Sequence, residues 1–323
     1  MRFVLDDETG LLSLQEQDTV YPGPDDIRIK VVGSGINRAD LLQKQGKYPP
    51  PPGASATLGL EVAGVVDAIG SKVKNFQIGD HVMGLLAGGG YAESVADHAD
   101  LFMPIPKSTS LIEAAGIPEA FLTSYQVLFQ LGQLKPNESV LIHAGASGVG
   151  SAAIQLAKAI GSTVYTTVGS EEKTTFCKQL GADAVVNYRL NDFEQIIHNQ
   201  GGVDLVIDVV GGDYFQKNIN VLKTDGRYIV VAFMGGAKVN VHLGQILTKR
   251  IRLQGTTLRA RSIPYKKQLI QDFLNQFNNH LTSGKIRPII DQVFPITSVN
   301  EAHDYMEKNL NKGKIVLSWG DPE

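Results

Sequence analysis

The sequence predicts an α/β protein of two domains, one a doubly wound parallel sheet and the other rich in β-strands. Three observations predict it. From Ser139 onward, short apolar strands alternate with amphipathic helices, the pattern of repeated βαβ units. A glycine loop, Ala144-Gly145-Ala146-Ser147-Gly148-Val149-Gly150, lies between the first of those strands and the first of those helices. The first third carries strand alternation and Gly-Asp turns instead of helical spacing. With 323 residues, 43% of them hydrophobic, the chain has material for two cores at about 100–200 residues each.

The elements follow in order. Residues 27–32 (Ile-Arg-Ile-Lys-Val-Val) alternate as a half-buried strand does. Tyr48 leads into Pro49, Pro50, Pro51, Pro52 and Gly53, a run that must be extended and stiff because proline fixes φ and lacks a donor. Gly79-Asp80 marks a turn. Val140, Leu141 and Ile142 form a short buried strand. Val149, Ala153, Ile154, Leu156, Ala157 and Ile160 then recur at helical spacing, and Gly161 closes that helix. Residues 163–168 are a strand, and Ser170 caps a helix that ends at Gly181. Strands at 184–186, 205–210, 228–231 and 252–256 follow, with helix-like stretches between them. Leu269, Phe273, Phe277 and Leu281 share one face of a long helix with Pro264 near its start and Gly284 past its end. Ser298-Val299-Asn300-Glu301 reads as a capping box, and residues 314–317 as a last strand.

Composition excludes several classes. A formal net charge of -3 with 20% charged residues fits neither disorder nor a polyanion partner, and no basic stripe suggests nucleic acid. Three acids, Asp6, Asp7 and Glu8, follow a very short apolar run, so no secretory segment is expected there. The apolar run at 229–234 is far too short for a bilayer. One cysteine, Cys177, permits no internal disulfide and no thiolate zinc cage; a cytoplasmic setting and no membrane partner are expected. His81, His98 and His143 stand apart from acids and cysteine at metal spacing, so no metal site is expected, and Cys177 reads as a packing residue.

The glycine loop points to a dinucleotide. A helix N-terminus offers unbonded N–H groups and a positive dipole end, and small residues allow pyrophosphate to approach. Gly145, Ala146, Ser147, Gly148, Val149 and Gly150 are the expected cradle. NAD sites carry an acid where the second strand ends, about twenty residues on. Here that position reads Gly169-Ser170-Glu171-Glu172-Lys173. A 2′-phosphate is repelled by an acid but welcomed by a hydroxyl and a cation, so Ser170 and Lys173 favour NADPH, with the two glutamates turned to solvent. Tyr188, at the end of the third strand, is placed to stack on adenine. Phe233, Met234 and Gly235 follow the fifth strand, and Thr257 and Leu258 the sixth; ligands gather beyond such carboxyl ends, so these residues are expected at the nicotinamide.

These motifs resemble the medium-chain dehydrogenase/reductase superfamily, specifically its quinone oxidoreductase branch. Residues 59–70 look like the superfamily's N-terminal signature. Residues 141–158 look like the quinone oxidoreductase signature, with Gln155 and Lys158 in place and Ser147 where a glycine is usual. Asn37-Arg38-Ala39-Asp40 and Gln45-Gly46-Lys47-Tyr48 look closest to the p53-inducible quinone oxidoreductase subgroup. The resemblance implies a GroES-like catalytic domain over residues 1–121 with 261–323, a Rossmann NADPH-binding domain over 122–260, an active site in the cleft, and a homodimer formed through edge strands near residues 236–258. Zinc alcohol dehydrogenases of the superfamily have Cys where this chain has Asn37 and His where it has Leu60, and they carry a four-cysteine lobe absent here. The implied reaction is therefore zinc-independent hydride transfer from NADPH to a quinone. Asn37 and Tyr48 are the implied catalytic residues, with Thr123 and Lys314 toward the cofactor. Two alternatives stay open: an enone or enoyl double-bond reductase, and an NADPH-binding redox sensor or RNA-associated protein with little catalysis.

Overall fold

A computed structural model of the chain describes residues 1–6 and 11–320; Asp7 and Glu8 of the acidic run lie outside the described residues. The chain divides into two compact units, residues 1–122 with 258–323, and residues 123–257.

The first unit opens with β1 (Arg2–Asp6) and β2 (Leu12–Glu16), an antiparallel pair. Then come β3 (Asp26–Ile36), α1 (Arg38–Lys44), β4 (Glu61–Ile69), β5 (His81–Leu85), β6 (Ser94–His98), β7 (Phe102–Pro104) and α2 (Leu111–Ala114), and the chain passes from the first unit to the second within α3 (Pro118–Tyr125). The prolines leave residues 49–51 without regular structure, and Ala54 N donates to Pro51 O at 3.0 Å to close the turn that follows.

The second unit repeats strand and helix. It runs β8 (Ser139–Ile142), α4 (Gly148–Ala159), β9 (Thr163–Val168), α5 (Glu171–Gln179), β10 (Ala184–Asn187), α6 (Phe193–Asn199), β11 (Val203–Asp208), α7 (Tyr214–Val221), β12 (Leu222–Val230), α8 (Leu243–Lys249) and β13 (Arg252–Gly255). Its strands form one parallel sheet in the order β10-β9-β8-β11-β12-β13. The order reverses between β8 and β11, so the loops leaving those strands diverge and open a crevice at their carboxyl ends. Leu141, Val206, Phe215 and Tyr228 belong to its core.

The chain then returns to the first unit as α9 (Ile263–Thr282), β14 (Ile290–Pro295), α10 (Val299–Glu307) and β15 (Lys314–Ser318). β3 is the spine of that unit's seven-stranded sheet. It pairs with β4 along one edge; on the other, β6 takes residues 26–30 and β15 takes residues 33–36. Ile27, Ile29 and Val31 face one core cluster, while Ile36, Ile315 and Leu317 belong to another. Among the described residues no helix is long and apolar enough to cross a membrane.

One expected element differs. The capping box at residues 298–301 does not form: Ser298 makes no side-chain cap bond. The chain enters α10 from a 3₁₀ turn, Ile296–Ser298, with Ser298 at φ -99° and ψ 25° instead of the extended backbone that aims a capping hydroxyl. Asn300 instead brackets Leu12, accepting from its N–H at 3.1 Å and donating to its carbonyl at 2.8 Å.

Candidate nucleotide and acceptor sites

Residues 144–150 leave β8 and enter α4. Ala144 adopts φ 54°, and Gly145 N donates to Thr167 O of β9 at 3.1 Å. A side chain at Gly145 would put Cβ 2.0 Å from Thr166 Oγ1, and one at Gly150 would put it 2.3 Å from Ala144 O. Both glycines are thus demanded by the loop's own packing. Ser147 caps α4, its hydroxyl oxygen accepting from Gly150 N at 2.9 Å. The first-turn N–H groups of a helix have no intrahelical acceptor, so Gly148 and Val149 retain theirs. Ala146 is buried beneath the loop. This cradle fits a pyrophosphate.

At the end of β9, Ser170 caps α5 and accepts from Lys173 N at 3.3 Å. Glu171 and Glu172 are exposed and Lys173 is partly exposed. Gly169 lies under Tyr188: a Cβ there would sit 2.6 Å from the tyrosine hydroxyl. The Tyr188 ring is 46% exposed. The structure therefore brings Gly169, Ser170 and Tyr188 together with no acid at the strand end.

The loops after β11 and β12 are tied together. Gly235 N donates to Val210 O at 2.7 Å and Gly212 N to Gly236 O at 2.9 Å, which holds Phe233 and Met234 outward and exposed. Beneath them, the buried Asp208 carboxylate accepts from Val210 N at 2.6 Å and from Asn218 Nδ2 at 3.2 Å, and Tyr228 donates its hydroxyl to it at 2.5 Å. With Asn218 Nδ2 committed, its Oδ1 accepts from His143 Nε2 at 2.7 Å, and Thr167 Oγ1 lies 2.9 Å from His143 Nδ1. Burial holds the His143 pKa down. His143 thus ties the start of the glycine loop to the loop after β11. Gly211 and Gly212 were not legible as site residues, since the segment they meet, at Gly235 and Gly236, is distant in sequence. Thr123 is buried in α3, Thr257 is exposed past β13, and Leu258, which is buried, opens the second stretch of the first unit.

In the first unit, Asn37 has no amide group to spare. Its Nδ2 donates to Glu61 Oε1 at 2.9 Å and to Gly35 O at 3.4 Å, and its Oδ1 accepts from Lys314 Nζ at 2.7 Å. Lys314 is 3% exposed, and its three donors go to Ile36 O (2.8 Å), Asn37 Oδ1 and Glu61 Oε1 (2.5 Å). Lys314, which the resemblance implies toward the cofactor, holds its ammonium in a buried ion pair with Glu61. Glu61, fully buried, also accepts from Glu119 N at 2.8 Å. A charged residue inside the apolar run 59–70 was the available signal for that pair.

Tyr48 differs from Asn37. Its ring is half-buried, and among the described residues its hydroxyl has no hydrogen-bond partner. Burial pushes its pKa up, opposed by the Arg259 guanidinium. Nearby, Asp40 accepts from Asn37 N (2.8 Å), Gly59 N (3.1 Å) and the Tyr91 hydroxyl (3.2 Å), and Tyr91 in turn meets His303 Nε2 at 3.1 Å.

The residues do not fit a catalytic zinc. Position 37 presents a committed amide, position 60 a buried leucine, and among the described residues no three His, Cys, Asp or Glu gather to hold a metal.

Residues 148–275 match the zinc-binding dehydrogenase family and residues 23–107 the alcohol dehydrogenase GroES-like domain. The chain is similar to quinone oxidoreductase-like protein 2 of Bos taurus, at 33% identity over 91% of this chain and 85% of the relative. Among solved structures it is similar to the Escherichia coli quinone oxidoreductase complexed with NADPH, with 28% identity, TM-score 0.86 and 98% of each chain covered. It is also similar to the CurK enoyl reductase, with 30% identity, TM-score 0.85 and 98% of each chain covered.

Proposed function

We propose that this chain, which belongs to the quinone oxidoreductase branch of the medium-chain dehydrogenase/reductase superfamily, is a zinc-independent NADPH:quinone oxidoreductase. The observation that carries the cofactor reading is the end of β9, where Gly169, Ser170 and the overlying Tyr188 leave no acid to repel a 2′-phosphate and Lys173 follows in the first turn of α5. Bound NADPH supplies the hydride; the protein orients it and excludes water. The residues at 145–150 hold the pyrophosphate, and Phe233, Met234 and Gly235 serve the nicotinamide end. Thr123, Thr257 and Leu258 are proposed to complete that end. Tyr48 is the proton donor to the reduced acceptor, because its hydroxyl is unengaged while the Asn37 amide is committed. Asn37 acts behind it by holding Lys314 and Glu61. Without a Lewis acid to stabilise an alkoxide, an electrophilic acceptor such as a quinone is favoured over an alcohol.

The reading is tested by titrating the purified protein with NADPH and NADH, then following NADPH oxidation with 1,2- and 1,4-quinones and an acyclic enone. Tighter binding of NADPH and quinone-dependent oxidation are expected. Faster turnover of the enone selects the second reading, a double-bond reductase, which the likeness to an enoyl reductase favours. Binding without oxidation by any acceptor overturns catalysis and leaves a nucleotide-binding role. Lys173→Glu is expected to weaken NADPH binding about tenfold relative to NADH.

We also propose a homodimer through the second unit. β13 is an edge strand with all four residues exposed, no residue of α8 is buried, and Val241, Leu243, Leu247 and Leu253 are exposed apolar residues in this stretch. The single cysteine, buried, suits the reducing cytoplasm as its compartment.

A further inference from the structure

Arg259 is a buried guanidinium that the nucleotide loop does not explain. It is 6% exposed, and its donors go only to neutral oxygens: Nε to Ala87 O at 2.7 Å, Nη2 to Gln43 Oε1 at 2.7 Å and Nη1 to Tyr48 O at 3.3 Å. Among the described residues it has no carboxylate partner. Buried charges are ordinarily paired directly with an opposite charge, whereas this cation makes no direct ion pair and feels the Asp40 carboxylate only through space. What it does face is an aromatic ring: its Cζ lies 5.3 Å from the centroid of Tyr48. That ring carries the hydroxyl without a partner.

We propose that Arg259 is the positioning residue for Tyr48, fixing its ring and stabilising the phenolate formed when Tyr48 gives up its proton. This rests on the reductase reading above. In the step, hydride from NADPH adds to the quinone, leaving NADP⁺ and an acceptor oxygen with the displaced electron pair. The Tyr48 O–H bond breaks, its proton goes to that oxygen to form the hydroquinone, and solvent returns the proton to Tyr48. The anion that pairs with Arg259 is thus the transient phenolate. The guanidinium also ties together three segments around the ring: α1 through Gln43, the proline turn through Tyr48 O, and the glycine-rich loop at 87–90 through Ala87 O. Four other groups bear on the pair. Glu119 faces Tyr48 and raises its pKa, Asp40 and Lys266 act electrostatically with Arg259, and Asp97 acts on Lys266. An opposite charge within about 4–6 Å favours the charged form of a titrating group, so Arg259 favours the phenolate.

The test has two readouts. The ionisation midpoint of Tyr48 is taken from the ultraviolet difference between the full chain and its Tyr48→Phe variant, with Arg259 intact and again with Arg259→Met or Arg259→Lys. Arg259→Met should raise the midpoint by about one pH unit or more, and Arg259→Lys, which keeps a charge but loses the fork, by less. Then kcat is measured for Arg259→Met, Tyr48→Phe and the double variant. Arg259→Met should lower kcat about tenfold with KM little changed, and should lower it no further once Tyr48 is Phe. An unmoved midpoint in a chain that turns over, or an equal loss of kcat with and without the Tyr48 hydroxyl, overturns the role of Arg259. A wild-type chain that oxidises NADPH with neither quinone nor enone overturns the reductase reading itself, and the proton-donor role falls with it.

Discussion

Glu61 on β4 and Lys314 on β15 stand on the two strands that flank β3 in one sheet, and each is nearly or wholly out of water. Such a pair adds little net stability over apolar residues, but breaking it strands a charge. Lys314→Met should therefore cost about 3–5 kcal/mol in urea unfolding, and adding Glu61→Gln should recover part of that. Gly35 is bound to the same arrangement, since a Cβ there would sit 2.3 Å from Glu61 Oε1. Asp40 gives a second residue-scale expectation. Burial pushes its carboxyl from 3.8 up to about 6, against the pull of the Asn37 and Gly59 N–H groups. Between about pH 4 and 6 the folded chain holds this proton while the unfolded chain has released it. Its contribution to stability is present below that window and lost as pH rises through 6. His303 has the opposite slope: burial lowers it from 6.5 to about 3, so its contribution is lost as pH falls. Relative to wild type, Asp40→Asn should gain stability from pH 4 to 6, on the order of 2–3 kcal/mol, measured by urea unfolding at each pH.

Helix starts separate two serines that look alike in sequence. Ser170 has extended backbone, φ -155° and ψ 161°, and its hydroxyl oxygen accepts from the N3 amide of α5. Ser298 has neither. Ser170→Ala should cost about 1 kcal/mol and Ser298→Ala less than about 0.5 kcal/mol, compared by urea midpoints at constant m. The difference lies in what precedes each helix. A strand delivers the chain to α5 already extended, whereas a 3₁₀ turn delivers it to α10 already curled. That is why the glycine loop, Gly161, Ser170, Gly181 and Gly284 were readable: their conformations are set by the adjoining backbone. Gly161, Gly181 and Gly284 all take positive φ, as a helix terminus requires. The capping box failed because the preceding turn is set by how residues 294–298 pack, which no four-residue pattern encodes.

At the scale of the molecule, the exposed edge strand β13 and the unburied α8 bear on assembly. If a second copy covers them, Leu247→Glu should shift the chain from dimer to monomer in light scattering, with nucleotide affinity unchanged, since Leu247 lies outside the glycine loop. A monomeric wild type would show that these residues are simply solvent-exposed. The sequence by itself determined the βαβ alternation, the parallel sheet, the glycine loop and the acid-free end of β9, because each depends on residues close along the chain and on fixed backbone preferences. It determined also that positions 37 and 60 carry no metal ligand. Only the tertiary structure decided the fate of particular polar groups. Lys314 and Asn37 are 277 residues apart, Arg259 and Tyr48 are 211 apart, and Tyr91 and His303 are 212 apart. Whether an amide, an ammonium or a phenol is committed or left available depends on which distant oxygen reaches it after folding. A buried polar group must find its partner in three dimensions, and no local pattern along the chain records which one it finds.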